Sequence, residues 1–288
     1  MDQQHGFIRI LTEWAEAQPL VRALLLTSSR ADPLAPVDTL SDYDIIVVAT
    51  ETQPLASGEG WLGAYAAPLV RFRDSGTRRG QGTHARLVLY EDGTKVDYTL
   101  WPTTLLERIV ASAQLPDELD VGYRVLLDKD GVASRLPAPT HTAHIPPRPS
   151  EAAYLALVEE FWWETTYVAK SLWRDELLPA RYSFEAVIRC DLLRRLLEWH
   201  IEADHAWSLK PGTLGRGLKR HLPVGLWSQV ERTFAGADIE ENWDALFAMA
   251  TLFKAVGSAV GTHLGYTYPL DLDQRMVRYL THIKNLAH

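Results

Sequence analysis

At 288 residues, 47% hydrophobic and 23% charged, the chain is composed to fold throughout and is long enough for two cores, which excludes a long disordered tail. Its 29 basic against 37 acidic residues leave a net charge of -8, which disfavours a nucleic-acid partner and favours a cationic small molecule. A lone cysteine, Cys190, excludes an internal disulfide, and its place in an apolar-periodic stretch predicts a buried, inert thiol.

The opening residues MDQQHGFIRI hold no basic segment followed by a long apolar run. No later stretch approaches the ~20 uninterrupted apolar residues of a membrane span, so a cytoplasmic protein without membrane contact is expected. A helix is predicted over Phe7 to Ala17. Strands follow at Val21 to Leu26, Tyr43 to Val48, Leu69 to Phe72, Ala85 to Tyr90 and Lys95 to Leu100, each rich in β-branched, leucine or aromatic residues. Asp92-Gly93 between the last two marks a hairpin, and a helix follows at Thr103 to Ser112. The segment 135–150 has five prolines in sixteen residues and reads as an extended linker. After it the pattern is helical only: Glu151 to Trp173, Ser183 to Ala203, Gly225 to Phe234, Ile239 to Leu264 and Asp271 to Leu286. The predicted fold class is α+β, with a mixed-sheet N-terminal domain over residues 1–137 and an all-α helical bundle over residues 150–288.

The chemistry is concentrated in LLLTSSRADPLAPVDTLSDYDIIVV. A strand runs into the Thr27-Ser28-Ser29 turn, a donor cluster suited to triphosphate oxygens, and a second strand opens with Asp42-Tyr43-Asp44. Side chains alternate across a strand, so Asp42 and Asp44 aim at one point while Tyr43 and Ile45 face the core. Paired carboxylates repel unless a cation sits between them, and hard oxygen ligands suit Mg²⁺ together with substrate phosphates. Asp97 in KVDYTL lies inside an otherwise apolar strand and faces the same way as Lys95 and Thr99. If its strand lies beside the Asp42/Asp44 strand, the three acids make a cluster able to hold two metal ions, as nucleotidyl transfer requires. The plainer alternative has Asp42 capping a turn and Asp97 answering a neighbouring Lys or Arg.

The SSRAD turn and SDYDIIVV resemble the nucleotidyltransferase core of the aminoglycoside 6-adenylyltransferases (streptomycin adenylyltransferases), a branch of the polymerase-β-like superfamily. LVLYEDGTKVDYTLWP, VLLDKDG, EFWWETTYVAKSLWRDELLPA, ENWDALFAMATLFKAVG and HLGYTYP are similar to stretches of that family in the same order, so the resemblance spans both domains. It implies that Asp42 and Asp44 bind Mg²⁺ with ATP, and that Asp97 completes the triad as metal ligand or as the group that helps deprotonate the acceptor hydroxyl. It also implies that Ser29 and Arg30 border the triphosphate. The superfamily turn is usually Gly-Ser, and here the glycine position is Ser28; glycine suits backbone that takes a positive φ.

In EFWWETTYVAKSLWRDEL, Glu160, Glu164, Tyr167, Lys170, Ser171 and Arg174 recur at helical spacing as a polar stripe, opposite Phe161, Val168 and Leu172. Lys170 is expected to reach the triphosphate as a point charge, supported by Arg174. Glu160 and Glu164, with Tyr167 on the same stripe, are expected to face the cationic acceptor, and Trp163, like Trp162 and Trp173, could stack on its guanidinium groups. A solvated charged face is the plainer alternative. His84, His200, His205 and His263 show no metal-ligand spacing with a second His or Cys, so zinc chemistry is not expected. The resulting expectation is a monomeric, Mg²⁺-dependent enzyme that moves AMP from ATP, its co-substrate, to a hydroxyl of an aminoglycoside, streptomycin foremost. The rival readings are another acceptor (a lincosamide, a metabolite or a protein) or a homologue that captures ligand without turnover.

Overall fold

A computed structural model describes residues 2–33, 35–74 and 84–287, with side chains from residue 6 onward. The chain divides into two units, Met1–Ala143 and His144–His288, with the division falling inside the proline-rich segment.

The first unit is built on a six-stranded sheet. Its strands are β1 (Val21–Thr27), β2 (Tyr43–Ala49), β3 (Pro68–Asp74), β4 (His84–Tyr90), β5 (Lys95–Pro102) and β6 (Tyr123–Asp128), in the spatial order β3-β4-β5-β2-β1-β6. Every neighbouring pair is antiparallel except β2 and β5, which run parallel. The β4–β5 hairpin closes as the Asp-Gly pair predicts: the Tyr90 amide donates to Thr94 O, and Gly93 takes φ 83°.

Alternation gives each sheet face its own core. On one face Phe7, Leu11 and Ala15 of helix α1 (Asp2–Ala17), spaced at i and i+4, cover Leu24, Leu26, Tyr43, Ile45, Val47, Val96 and Tyr98. On the other, Leu106 and Ile109 of helix α3 (Thr103–Ser112) cover Ala23, Leu25, Ile46, Val48 and Trp101. Two short helices, α2 (Gln53–Ser57) and α4 (Asp117–Asp120), add Leu55 and Leu119 to these cores. Strand β6 was not anticipated as a strand. It is the sheet edge beside β1, with Arg124 and Val125 exposed and the rest half-buried, so its sequence lacks an apolar alternation to read.

No strand occurs among the described residues of the second unit. Helix α5 (Glu151–Trp173) starts where the Ser150 hydroxyl accepts from the Ala153 amide at 3.2 Å. It is followed by α6 (Leu177–Arg181), a π-helical run over Tyr182–Leu193, α7 (Arg194–Asp204), α8 (Leu218–His221), α9 (Val224–Glu231), α10 (Ile239–Leu264) and α11 (Leu270–Lys284). Phe161 of α5 stacks on Phe253 of α10 with ring centroids 3.6 Å apart. Small residues let the helices close further: a Cβ on Gly261 would lie 2.8 Å from the Tyr154 hydroxyl, which donates to Gly257 O. Helix α10 is long and apolar enough to cross a membrane, yet more than half of its most apolar stretch is buried inside this unit, as suits a central core helix.

Two expectations fail here. Cys190 is exposed, because Phe184, Ile188 and Leu192 define the buried side of its helix and residue 190 lies away from them. Ser171, read as part of the polar stripe of α5, is buried between Ala169 and Leu172 on the core side.

Candidate active site

The site is set by the one parallel pairing in the sheet. Asp44 on β2 lies directly opposite Asp97 on β5, and residues opposite each other in register share a face. Their neighbours Tyr43, Ile45, Val96 and Tyr98 point to the opposite face, into the α1 core. Asp42 is not in the strand as expected: β2 begins at Tyr43, and Asp42 is the last residue of the loop that leads into it.

That loop is held by Arg30. Its Nη2 donates to Ser41 O at 2.7 Å, its Nε donates to Asp42 O at 3.1 Å, and its guanidinium lies 4.0 Å from the Tyr43 ring centroid. Arg30, predicted to border a triphosphate, therefore spends its guanidinium on backbone carbonyls and on a ring. It fixes the approach of Asp42. Ser29 sits half-buried beside it in the one-turn 3₁₀ helix Ser28–Arg30 that follows β1. Ser28 takes φ 59°, in the left-handed region that favours glycine. Its hydroxyl is placed to favour the charged form of the Asp44 carboxylate.

Burial and then the negative charge of Asp97 push the Asp44 carboxyl up to about 6, with Asp42 adding to the effect; the Ser28 hydroxyl and the Lys95 ammonium act the other way. The Lys95 side chain, from two residues before Asp97, ion-pairs with Asp42 and lies 3.7 Å from Asp97 Oδ1. The hydrogen bond to Asp42 holds its ammonium above the ordinary lysine range, and the charge of Asp97 adds to this. Lys95 was noted from the sequence only as facing with Asp97. Its role as the cation between two acids depends on the loop geometry that Arg30 sets.

Among the described residues no three His, Cys, Asp or Glu side chains are drawn together tightly enough to form a ready metal cage. The donor set nevertheless fits a hard divalent cation. Its oxygens are all carboxylate, Asp44 is raised by burial and by the charge of Asp97, and a positive group already lies against Asp42 and Asp97.

In the second unit the remaining predicted residues lie along α5. Glu160 is exposed and Glu164 half-buried; burial and then the charge of Glu160 raise the Glu164 carboxyl above its usual range. Trp163 is 63% exposed, and its Nε1 donates to the Tyr167 hydroxyl at 3.3 Å. Lys170 places its ammonium 4.9 Å from the Tyr167 ring centroid, and Arg174, exposed, caps the helix. The three predicted stacking tryptophans separate: Trp162 is buried, Trp173 donates to Leu286 O, and only Trp163 is open. Beside it is a cavity of about 590 Å³ lined by Glu159, Trp162, Trp163 and Thr166 with Arg275 and Tyr279 of α11. Glu159 and Tyr279 carried no distinguishing signal in the sequence.

With this geometry in place, comparison with known proteins is informative. Residues 1–283 match the family model described as streptomycin adenylyltransferase. The chain is 28% identical over 283 residues to the aminoglycoside 6-adenylyltransferase of Bacillus subtilis (strain 168), covering 97% of each chain. It is 27% identical over 274 residues to that of Campylobacter jejuni, covering 94% of this chain and 92% of the other. A crystal structure of an aminoglycoside 6-adenyltransferase from Bacillus subtilis aligns over 97% of this chain and 98% of its own, at 25% identity and a TM-score of 0.48.

Proposed function

Because the chain belongs to the streptomycin adenylyltransferase family, we propose that it transfers AMP from ATP to a hydroxyl of an aminoglycoside, with streptomycin as the first candidate, in a Mg²⁺-dependent reaction in the cytoplasm. The observation that carries the reading is the register of Asp44 opposite Asp97, with Asp42 tied into the same cluster through Lys95.

Asp42, Asp44 and Asp97 would hold Mg²⁺, whose chemistry when bound is to neutralise charge on the triphosphate. The acceptor oxygen forms a bond to the α-phosphorus, the bond from that phosphorus to the bridging oxygen breaks, and pyrophosphate leaves. The hydroxyl proton passes to a carboxylate oxygen of the same set, for which Asp97 is our candidate. Ser29 lies in a single helical turn whose leading N–H groups have no partner within the turn, a suitable setting for phosphate oxygens. Arg30 acts by holding the Asp42 loop rather than by touching phosphate.

On α5, Lys170 is assigned to phosphate oxygens, with Arg174 in support. Burial, and after it the charge of Glu160, raises the Glu164 carboxyl, and a cationic acceptor would relieve the repulsion between the two acids. The exposed Trp163 and Tyr167 offer ring faces to its guanidinium groups. Pyrophosphate release with Mg²⁺, ATP and a panel of aminoglycosides, lincosamides and protein alone tests the proposal. Release that depends on streptomycin is expected. Release with a lincosamide alone, or adenylylation of protein alone, would replace the acceptor, and no release with any acceptor would remove the activity.

A further inference from the structure

Lys95 has no place in the reaction as set out above, yet it is the cation nearest the candidate metal ligands. It shares a β5 face with Asp97, stands beside Leu89 of β4 in register, and bridges Asp42 and Asp97 with one ammonium. A divalent cation held by Asp42, Asp44 and Asp97 would take the same oxygens. A divalent cation and the ammonium compete for those oxygens, since each lone pair given to one is lost to the other and the two positive groups repel at close range.

The Lys95 side chain is 42% exposed on a flexible four-carbon stem, so it can leave these oxygens without disturbing the strand. Arg22, by comparison, is engaged by Asp130 at the far end of β1, and Arg30 is locked onto the loop carbonyls. Neither is placed to do the same.

We propose that Lys95 is the resident counter-ion of the metal site: it neutralises Asp42 and Asp97 in the metal-free protein, competes with a divalent cation for their oxygens, and transfers to the triphosphate when metal and nucleotide enter together. The inference rests on the reading of the three aspartates as metal ligands. Its consequence is coupling. Metal alone binds weakly because it must displace an ammonium that thereby loses its carboxylate partners, and nucleotide strengthens metal binding by giving that ammonium new ones.

Calorimetric titration of Mn²⁺ into wild type, Lys95→Met, Lys95→Gln, Lys95→Arg and Asp44→Asn, each with and without a non-hydrolysable ATP analogue, tests this, with far-UV circular dichroism confirming that each variant is folded. Lys95→Met and Lys95→Gln should bind Mn²⁺ alone about tenfold tighter than wild type and lose most of the enhancement given by the analogue. Lys95→Arg, which keeps the charge, should stay near wild type. Unchanged or weaker Mn²⁺ binding in both neutral variants, with binding lost in Asp44→Asn, would overturn the role of Lys95 and leave the metal site standing. Wild-type Mn²⁺ binding by Asp44→Asn would overturn the metal site itself, and the proposal with it.

Discussion

The Ser28 hydroxyl lies where it favours the charged form of the Asp44 carboxylate, while the Ser28 backbone is held at φ 59°. A side chain in that left-handed region costs about 1 kcal/mol relative to glycine. The chain accepts a strained turn and keeps a donor on its most perturbed acid. Ser28→Ala retains the strain and loses the donor, whereas Ser28→Gly loses both. In urea denaturation the glycine variant should therefore exceed the alanine variant in stability by about 1 kcal/mol. Equal stabilities would mean that the backbone at residue 28 is not constrained.

Asp44 predicts a pH signature. Its carboxyl is raised from an ordinary value of 3.8 to about 6 in the folded protein, so the folded state binds the proton more tightly than the unfolded chain. Stability is greatest below the ordinary value and falls as pH rises through about 6. With divalent metal removed by EDTA, Asp44→Asn should be more stable than wild type at pH 8, by on the order of 1 kcal/mol, and this advantage should vanish as pH falls through that window. Transfer activity should drop by at least about a thousandfold in the same variant. An advantage that grows on acidification would contradict the assigned direction.

Arg30→Lys keeps the charge but loses the planar fork that spans Ser41 O and Asp42 O and the contact with the Tyr43 ring. Hydrogen exchange of the amides around 38–42 should accelerate in ligand-free protein, with a stability loss of about 1–2 kcal/mol. Unchanged exchange in that segment would return Arg30 to a role in phosphate binding alone.

In the helical unit Arg189 donates to Glu185 Oε2 at 2.6 Å and to Thr233 O at 2.6 Å, with its guanidinium 3.7 Å from the Phe234 ring centroid. Its side chain is only 10% exposed, so Arg189→Met strands buried acceptors and should cost about 3 kcal/mol by thermal or chemical denaturation. A change within about 0.5 kcal/mol would show that the network is solvated.

Much of this molecule can be read along the chain because its signals are local. The parity of Asp97 with Lys95 and Thr99, and the alternation that buries Tyr43 and Ile45, follow from strand geometry alone, as do the Asp92-Gly93 turn and the apolar spacing of α5. What could not be read depends on partners far away in sequence. β6 is a strand because β1 offers it an edge, not because its own residues alternate. Cys190 is exposed because the π-helical run places its apolar positions elsewhere. The engagement of Arg30 with loop carbonyls, and of Lys95 with Asp42 across 53 positions of sequence, becomes visible only when the loop is folded. Ser28 lies between these cases: its identity flagged a backbone requirement that the φ value meets, but the effect of its hydroxyl on Asp44 had no sequence signal.

The parallel pairing of β2 with β5 has a consequence for how the protein comes to exist. A hairpin can join antiparallel neighbours through a short turn, but these two strands are separated by all of β3 and β4 and meet only by closing a long loop. During synthesis the first two aspartates emerge long before the third, and a chain interrupted ahead of residue 95 would hold two acids with nothing opposite them. The reactive geometry thus depends on a long-range closure, and catalytic competence should trail the appearance of secondary structure in a refolding experiment.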